Sequence, residues 1–178
     1  MSFAGALSRI VALAGLTIVS LPAAAPAYAA KADVELLQSY IGTWKGSSDL
    51  KGRFRGKDGG EVSCQLALTK GNGDKVNYAV NCTLAGTSMT VKGTIVYNDA
   101  GKRYEAAMTS SVSFSGLAIG TRQGGGVLFN FKDKNKDEEG MGLSVNAAIT
   151  LNPDKIGVNF DVAFDNGDKL SASVPFTK

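Results

Sequence analysis

The stretch CQLALTKGNGDKVNYAVNC, Cys64 to Cys82, holds both cysteines of the chain, and its reading decides the fold. Set as two antiparallel strands turning about Gly73, it places Leu68 against Tyr78, Leu66 against Val80 and Cys64 against Cys82. Side chains alternate along a strand, so these residues share one face while Gln65, Thr69, Asn77 and Asn81 share the other. A slip of one residue would turn a polar set toward the core, so burial pins this register. Apolar alternation and cysteine position choose the same pairing independently. Facing Cβ atoms lie about 4.5–5.5 Å apart, and a small pinch closes a disulfide. The competing readings are two buried free thiols, or a redox pair, although redox pairs favour C-x-x-C spacing.

Compartment bears on that choice, because disulfides persist outside the cytosol. Arg9 precedes an apolar run from Ile10 to Leu21, followed by Pro22, Pro26 and Ala27-Tyr28-Ala29. This is the pattern of a secretory signal with an A-x-A cleavage site. Cleavage after Ala29 is expected, leaving residues 30–178 as a single domain exported to the periplasm or beyond the cell. The alternative is an uncleaved anchor, since Ile10 to Ala30 carries no charge. No later segment is apolar enough to span a membrane as a helix.

Working outward, alternation recurs almost to the C-terminus. MGLSVNAAITL places Met141, Leu143, Val145, Ala147, Ile149 and Leu151 on one face, and IGVNFDVAF does the same with Ile156, Val158, Phe160, Val162 and Phe164. Pro153 suits the turn between them and sets Leu151 against Ile156. The last strand offers Leu170, Ala172, Val174 and Phe176. In the DNGDK linker, a glycine bulge is expected to bring Phe164 opposite Leu170. Gly93, inside MTVKGTIVY, reads as a bulge or bend. RYEAAMTSSVSF reads as one strand through Val112 and Phe114, and VLFNF as another, presenting Val127, Phe129 and Phe131. AGTS, NDAG, GTRQGGG and KDKNKDEEG read as turns or connections. Only DVELLQSY reads as a short helix, with Asp33 as its N-cap. The expectation is all-β: an antiparallel up-and-down meander of roughly eight to ten strands closed into a small barrel after a short helix.

Gly42-Thr43-Trp44, opening the first strand after that helix, resembles the G-x-W motif of the lipocalin and fatty-acid-binding-protein-like (calycin) barrels. The resemblance implies that Trp44 plugs one end of the barrel and that the interior takes a small apolar molecule. The last strand, KLSASVPFTK, lacks the Arg-x-Tyr with which fatty-acid-binding proteins hold a carboxylate. The chain has no histidine with which nitrobindin-like members ligate haem iron.

Absence of histidine also removes Ser-His-Asp and Cys-His nucleophile systems and histidine metal sites. DKNKDEEG offers Asp133, Asn135 and Asp137 at calcium-loop spacing, but Glu138 stands where that loop needs glycine and Ser144 where it needs glutamate. No metal, cofactor or catalytic residue is assigned, and an enzyme is the less favoured class. A net charge of +3 gives no basic face for nucleic acid. KGRFRGKDGG reads as a glycine-rich connection whose Lys51, Arg53, Arg55 and Lys57 greet an anion or gate a barrel mouth, or simply solvate a loop.

The leading functional expectation is an exported water-soluble barrel holding a small apolar ligand, with Trp44, Tyr78, Phe129, Phe131 and Phe160 as its inner-face aromatics. A second is an envelope interaction or inhibitor module acting on a protein partner through loops 51–60 and 132–140. A third is a small outer-membrane barrel, since alternation alone leaves open which way the apolar face points.

Overall fold

The computed structural model describes residues 25–112, 114–137 and 139–178. The leader expected over residues 1–29 lies outside them up to residue 24, as does Glu138. Helix α1 (Ala25–Ser39) leads into ten strands: β1 (Gly42–Phe54), β2 (Lys57–Lys70), β3 (Val76–Leu84), β4 (Thr87–Asn98), β5 (Arg103–Ser110), β6 (Ser115–Gln123), β7 (Gly126–Lys136), β8 (Gly142–Asn152), β9 (Lys155–Phe164) and β10 (Lys169–Thr177). Every strand pairs antiparallel with its chain neighbours, and β1 closes on β10, so the sheet closes into a barrel.

The opening hairpin has the register that burial demands: Leu68↔Tyr78, Leu66↔Val80 and Cys64↔Cys82. The cysteines form a disulfide with their Cα atoms 4.1 Å apart, the local pinch that a facing pair requires. Leu151 faces Ile156 across a turn at Pro153 and Asp154. Apolar alternates throughout point inward, and the core gathers Leu37, Tyr40, Trp44, Tyr104, Phe129 and Phe176. Lys45, Glu61, Gln65, Lys92, Lys132 and Asp161 are among the exposed alternates that point outward. That polarity is the inverse of a lipid-facing barrel. Among the described residues, only Val112 and Leu117 are large apolar side chains that stand exposed.

Several expectations are corrected. Asp33 is no N-cap; α1 starts at Ala25, and Asp33 lies within it, buried against the barrel. In the last hairpin Leu170 pairs with Val162, and the Phe164 amide bonds to the Asp168 carbonyl, so Phe164 faces Asp168 rather than Leu170. Gly167 does take a left-handed φ of 89°, but the loop is tighter than expected. Inward faces are still preserved, because the shift is by an even number of residues.

Gly93 is no bulge: it pairs in unbroken register with Tyr78 and Met108. A Cβ there would stand 2.7 Å from the Tyr78 hydroxyl and 1.8 Å from the Ala107 carbonyl oxygen, so glycine is needed for a close approach. The segment 51–60 is no loop but the tip of the β1–β2 hairpin, turning at Arg55 and Gly56. Lys132 to Lys136 continue β7 instead of forming a connection, and Val112 lies in a turn between β5 and β6. Strand β6 itself, spanning GLAIG and most of GTRQGGG, is an element the alternation did not mark. Its inward residues are Gly116, Ala118, Gly120 and Arg122, too small or too polar to register as an apolar face. Phe131 and Phe129 from β7 cover two of these glycines and supply the missing volume.

Candidate functional site

One end of the barrel is sealed. From the turn that follows α1, the Tyr40 hydroxyl donates to the Leu151 carbonyl at 3.0 Å, and the Trp44 indole nitrogen donates to the Tyr40 carbonyl at 2.9 Å. Lys178 lies over the Trp44 ring, 4.7 Å from its centroid. Asp33 is the buried polar member of this plug. Its Oδ1 accepts from the Tyr104 hydroxyl at 2.5 Å and from Arg122 Nη1 at 2.8 Å. Burial raises the Asp33 carboxyl, but hydrogen bonds from Tyr104, Arg122 and Tyr97 outweigh it and hold the group below the ordinary carboxylate range. Burial and the Asp33 carboxylate together push the Tyr104 hydroxyl well above its usual value. The helix is therefore pinned by one carboxylate shared between two barrel strands.

The other end is covered only at its rim. Phe54 and Phe164 stack 4.4 Å apart where β1 and β9 end, and Arg55 lies 4.9 Å from the Phe54 centroid. The Arg55 guanidinium donates to Glu139 at 2.6 Å and Asp137 at 3.0 Å, and its backbone amide donates to Asp168 at 2.8 Å. The β1–β2 tip thus reaches across the β9–β10 turn to the β7–β8 turn. A register shift between Leu50 and Arg53 bends the hairpin so that it leans over. Arg55 adopts a left-handed φ of 50°, a conformation that costs a side-chain-bearing residue about 1–2 kcal/mol. Its three acidic partners hold it there.

Between the two ends, the inward apolar side chains are not all buried. Tyr78, Val80, Met89, Val91, Phe160 and Leu170 stay part-exposed although they face the lumen. Phe160 is flanked across both ladders by alanines, Ala147 and Ala172. Burial pushes the Tyr78 hydroxyl far above its usual value, and the group donates to the Ala107 carbonyl at 3.0 Å. The five inner aromatics therefore occupy two settings. Trp44 and Phe129, each 1% exposed, belong to the sealed end. Phe131, at 3%, packs against Phe114 and Gly116, while Tyr78 and Phe160 border the less filled middle. Sequence reasoning did not find the Asp33–Tyr104–Arg122 cluster or the Arg55 clasp. Only the charge run at 51–60 hinted at the second.

A cleft lined by Lys51, Asn146, Asp161, Lys169 and Ser171 on the outer wall, reaching Val162 and Leu170, is partly open to solvent. Among the described residues no helix is long and apolar enough to cross a membrane.

No protein-family model matches the chain, and no curated protein matches it in sequence. Among solved structures the barrel is similar to Rv2717c from M. tuberculosis, with a TM-score of 0.57 and 11% identity, over 82% of this chain and 96% of that one. At that identity the likeness is one of fold.

Proposed function

We propose that the chain is an exported, water-soluble binding protein that holds a small apolar molecule inside its barrel. One observation carries this reading: inward apolar side chains at mid-barrel, Tyr78, Val80 and Phe160 among them, keep exposed surface in a barrel sealed at one end by α1. Ligand sites are typically apolar, concave and largely preformed. Access runs through the mouth beneath the β1–β2 tip, with the Phe54–Phe164 stack as cover and the Arg55 clasp as its catch. Export is supported by the leader pattern at residues 1–29 and by a disulfide of the kind that persists in oxidising compartments. The interior arrangement favours this over an inhibitor module acting through loops, because the tips at 51–60 and 132–140 are tied to each other.

The test is native mass spectrometry of protein purified from its own envelope, joined to titration of the purified chain with Nile red, a neutral apolar dye. A retained small molecule, or saturable dye binding lost on filling the lumen through Ala147→Phe, is the expected result. A chain that arrives empty and does not bind the dye overturns the reading.

A further inference from the structure

Asp133 is an inward carboxylate that forms no ion pair among the described residues. On β7 it follows Val127, Phe129 and Phe131 on the lumen side, and it pairs with Val145, which pairs in turn with Val162 and then Leu170. Apolar neighbours therefore surround it along the wall. Its Oδ1 accepts from the Lys134 amide at 2.9 Å. Its Oδ2 is buried and meets no hydrogen-bond partner. Asp133 as a whole is half-buried, yet a carboxylate oxygen shut off from water is normally paired, since an unsatisfied charged acceptor costs more than the roughly 1–3 kcal/mol of a neutral one.

Strand pairing beside Asp133 also gives out. Pairing between β6 and β7 stops at Ile119↔Asn130, after five residue pairs, although β6 begins at Ser115 and β7 runs on to Lys136. Toward the mouth β6 and β7 therefore run on without ladder pairing, with Gly116 of β6 under the Phe131 ring and Leu117, 52% exposed, turned outward. An unpaired strand edge usually invites another strand. Here the invitation is withdrawn: the Lys134 and Lys136 amides are satisfied by the side chains of Asp133 and Asn135, and Lys132, Lys134 and Lys136 line the edge. This stretch therefore offers little to an added strand. Among the described residues no group of acidic side chains forms a cage for a metal ion, so an organic cation is the better match for one carboxylate oxygen.

We propose that Asp133, where ladder pairing between β6 and β7 gives out, is the anchor for the ammonium group of an apolar amine whose hydrocarbon part lies along the lumen. This rests on the reading of the barrel as a ligand carrier and names the class of its ligand. Ammonium–carboxylate hydrogen bonds are shorter and about twice as strong as neutral ones, so the head group selects among ligands of equal apolar length.

The test is displacement of Nile red from the purified full chain by decylammonium, decanol and decanoate, matched in chain length. Decylammonium is expected to bind at least about tenfold more tightly than decanoate. In Asp133→Asn that preference collapses while decanol affinity stays the same. Asp161→Asn, which removes the same charge from the outer wall, keeps the preference. Binding of decanol without any preference for the ammonium overturns this inference alone, and so does equal loss in the two variants. Failure of all the compounds and the dye to bind overturns the carrier reading with it. Thermal melts of both variants show whether the fold survives, and Asp133→Glu, which retains the carboxylate, is expected to recover part of the preference.

Discussion

Single side chains here are placed by partners far away in the chain. Asp33 meets Arg122 across 89 residues of sequence, and its low carboxyl value ties helix docking to pH. A folded-state value below the unfolded one contributes stability above the ordinary carboxylate range and loses it as pH falls through that range. Asp33→Asn is expected to cost about 2 kcal/mol at neutral pH, with the deficit shrinking below about pH 4. Urea melts at neutral and acid pH check this. Gly93 gives a second prediction. An added Cβ would strike the Ala107 carbonyl as well as the Tyr78 hydroxyl, so Gly93→Ala should cost about 1–3 kcal/mol, and Tyr78→Phe should not rescue it. Rescue in the double mutant would show that only the hydroxyl was in the way.

Elements are fastened in two ways. The Cys64–Cys82 bridge closes a segment of sequence separation 18, and its reduction is expected to lower stability by about 3 kcal/mol, read from the chemical-denaturation midpoint with and without reductant. The β1–β2 tip is held instead by exposed ion pairs, which salt screens. Arg55→Asn separates the clasp from the turn, because asparagine suits the left-handed φ better while lacking the guanidinium. Faster release of bound Nile red with an unchanged melting temperature is expected, and high salt should mimic it in the unmodified chain. Release that stays unchanged both in the variant and at high salt would remove the clasp from the account.

The whole molecule depends on how full its interior is. A packed ten-stranded barrel tolerates no added volume, since overpacking costs about 1–3 kcal/mol. A lumen with room accepts it. Ala147, inward and beside Phe160, is the place to ask: Ala147→Phe should leave stability within about 0.5 kcal/mol and abolish dye binding. A large loss of stability in that variant would mark the interior as solid.

Much of the barrel was legible from alternation. The hairpin around Gly73, the β8–β9 pair and the inward sets of β9 and β10 follow from which residues refuse water, a property each strand carries by itself. Strand β6 was hidden because its inner face is glycine and alanine, filled by aromatics of β7. The loop at 164–168 kept its inward faces but not its pairing, since parity constrains the first and turn geometry the second. What the sequence by itself determined is therefore the antiparallel order of strands and the side each one turns inward. Only the tertiary structure decided that Asp33 pins the helix, that Arg55 clasps two distant turns, and that β6 and β7 lose their pairing beside Asp133. Those contacts join residues that no local pattern couples; they exist because closing the barrel brings distant turns and faces together.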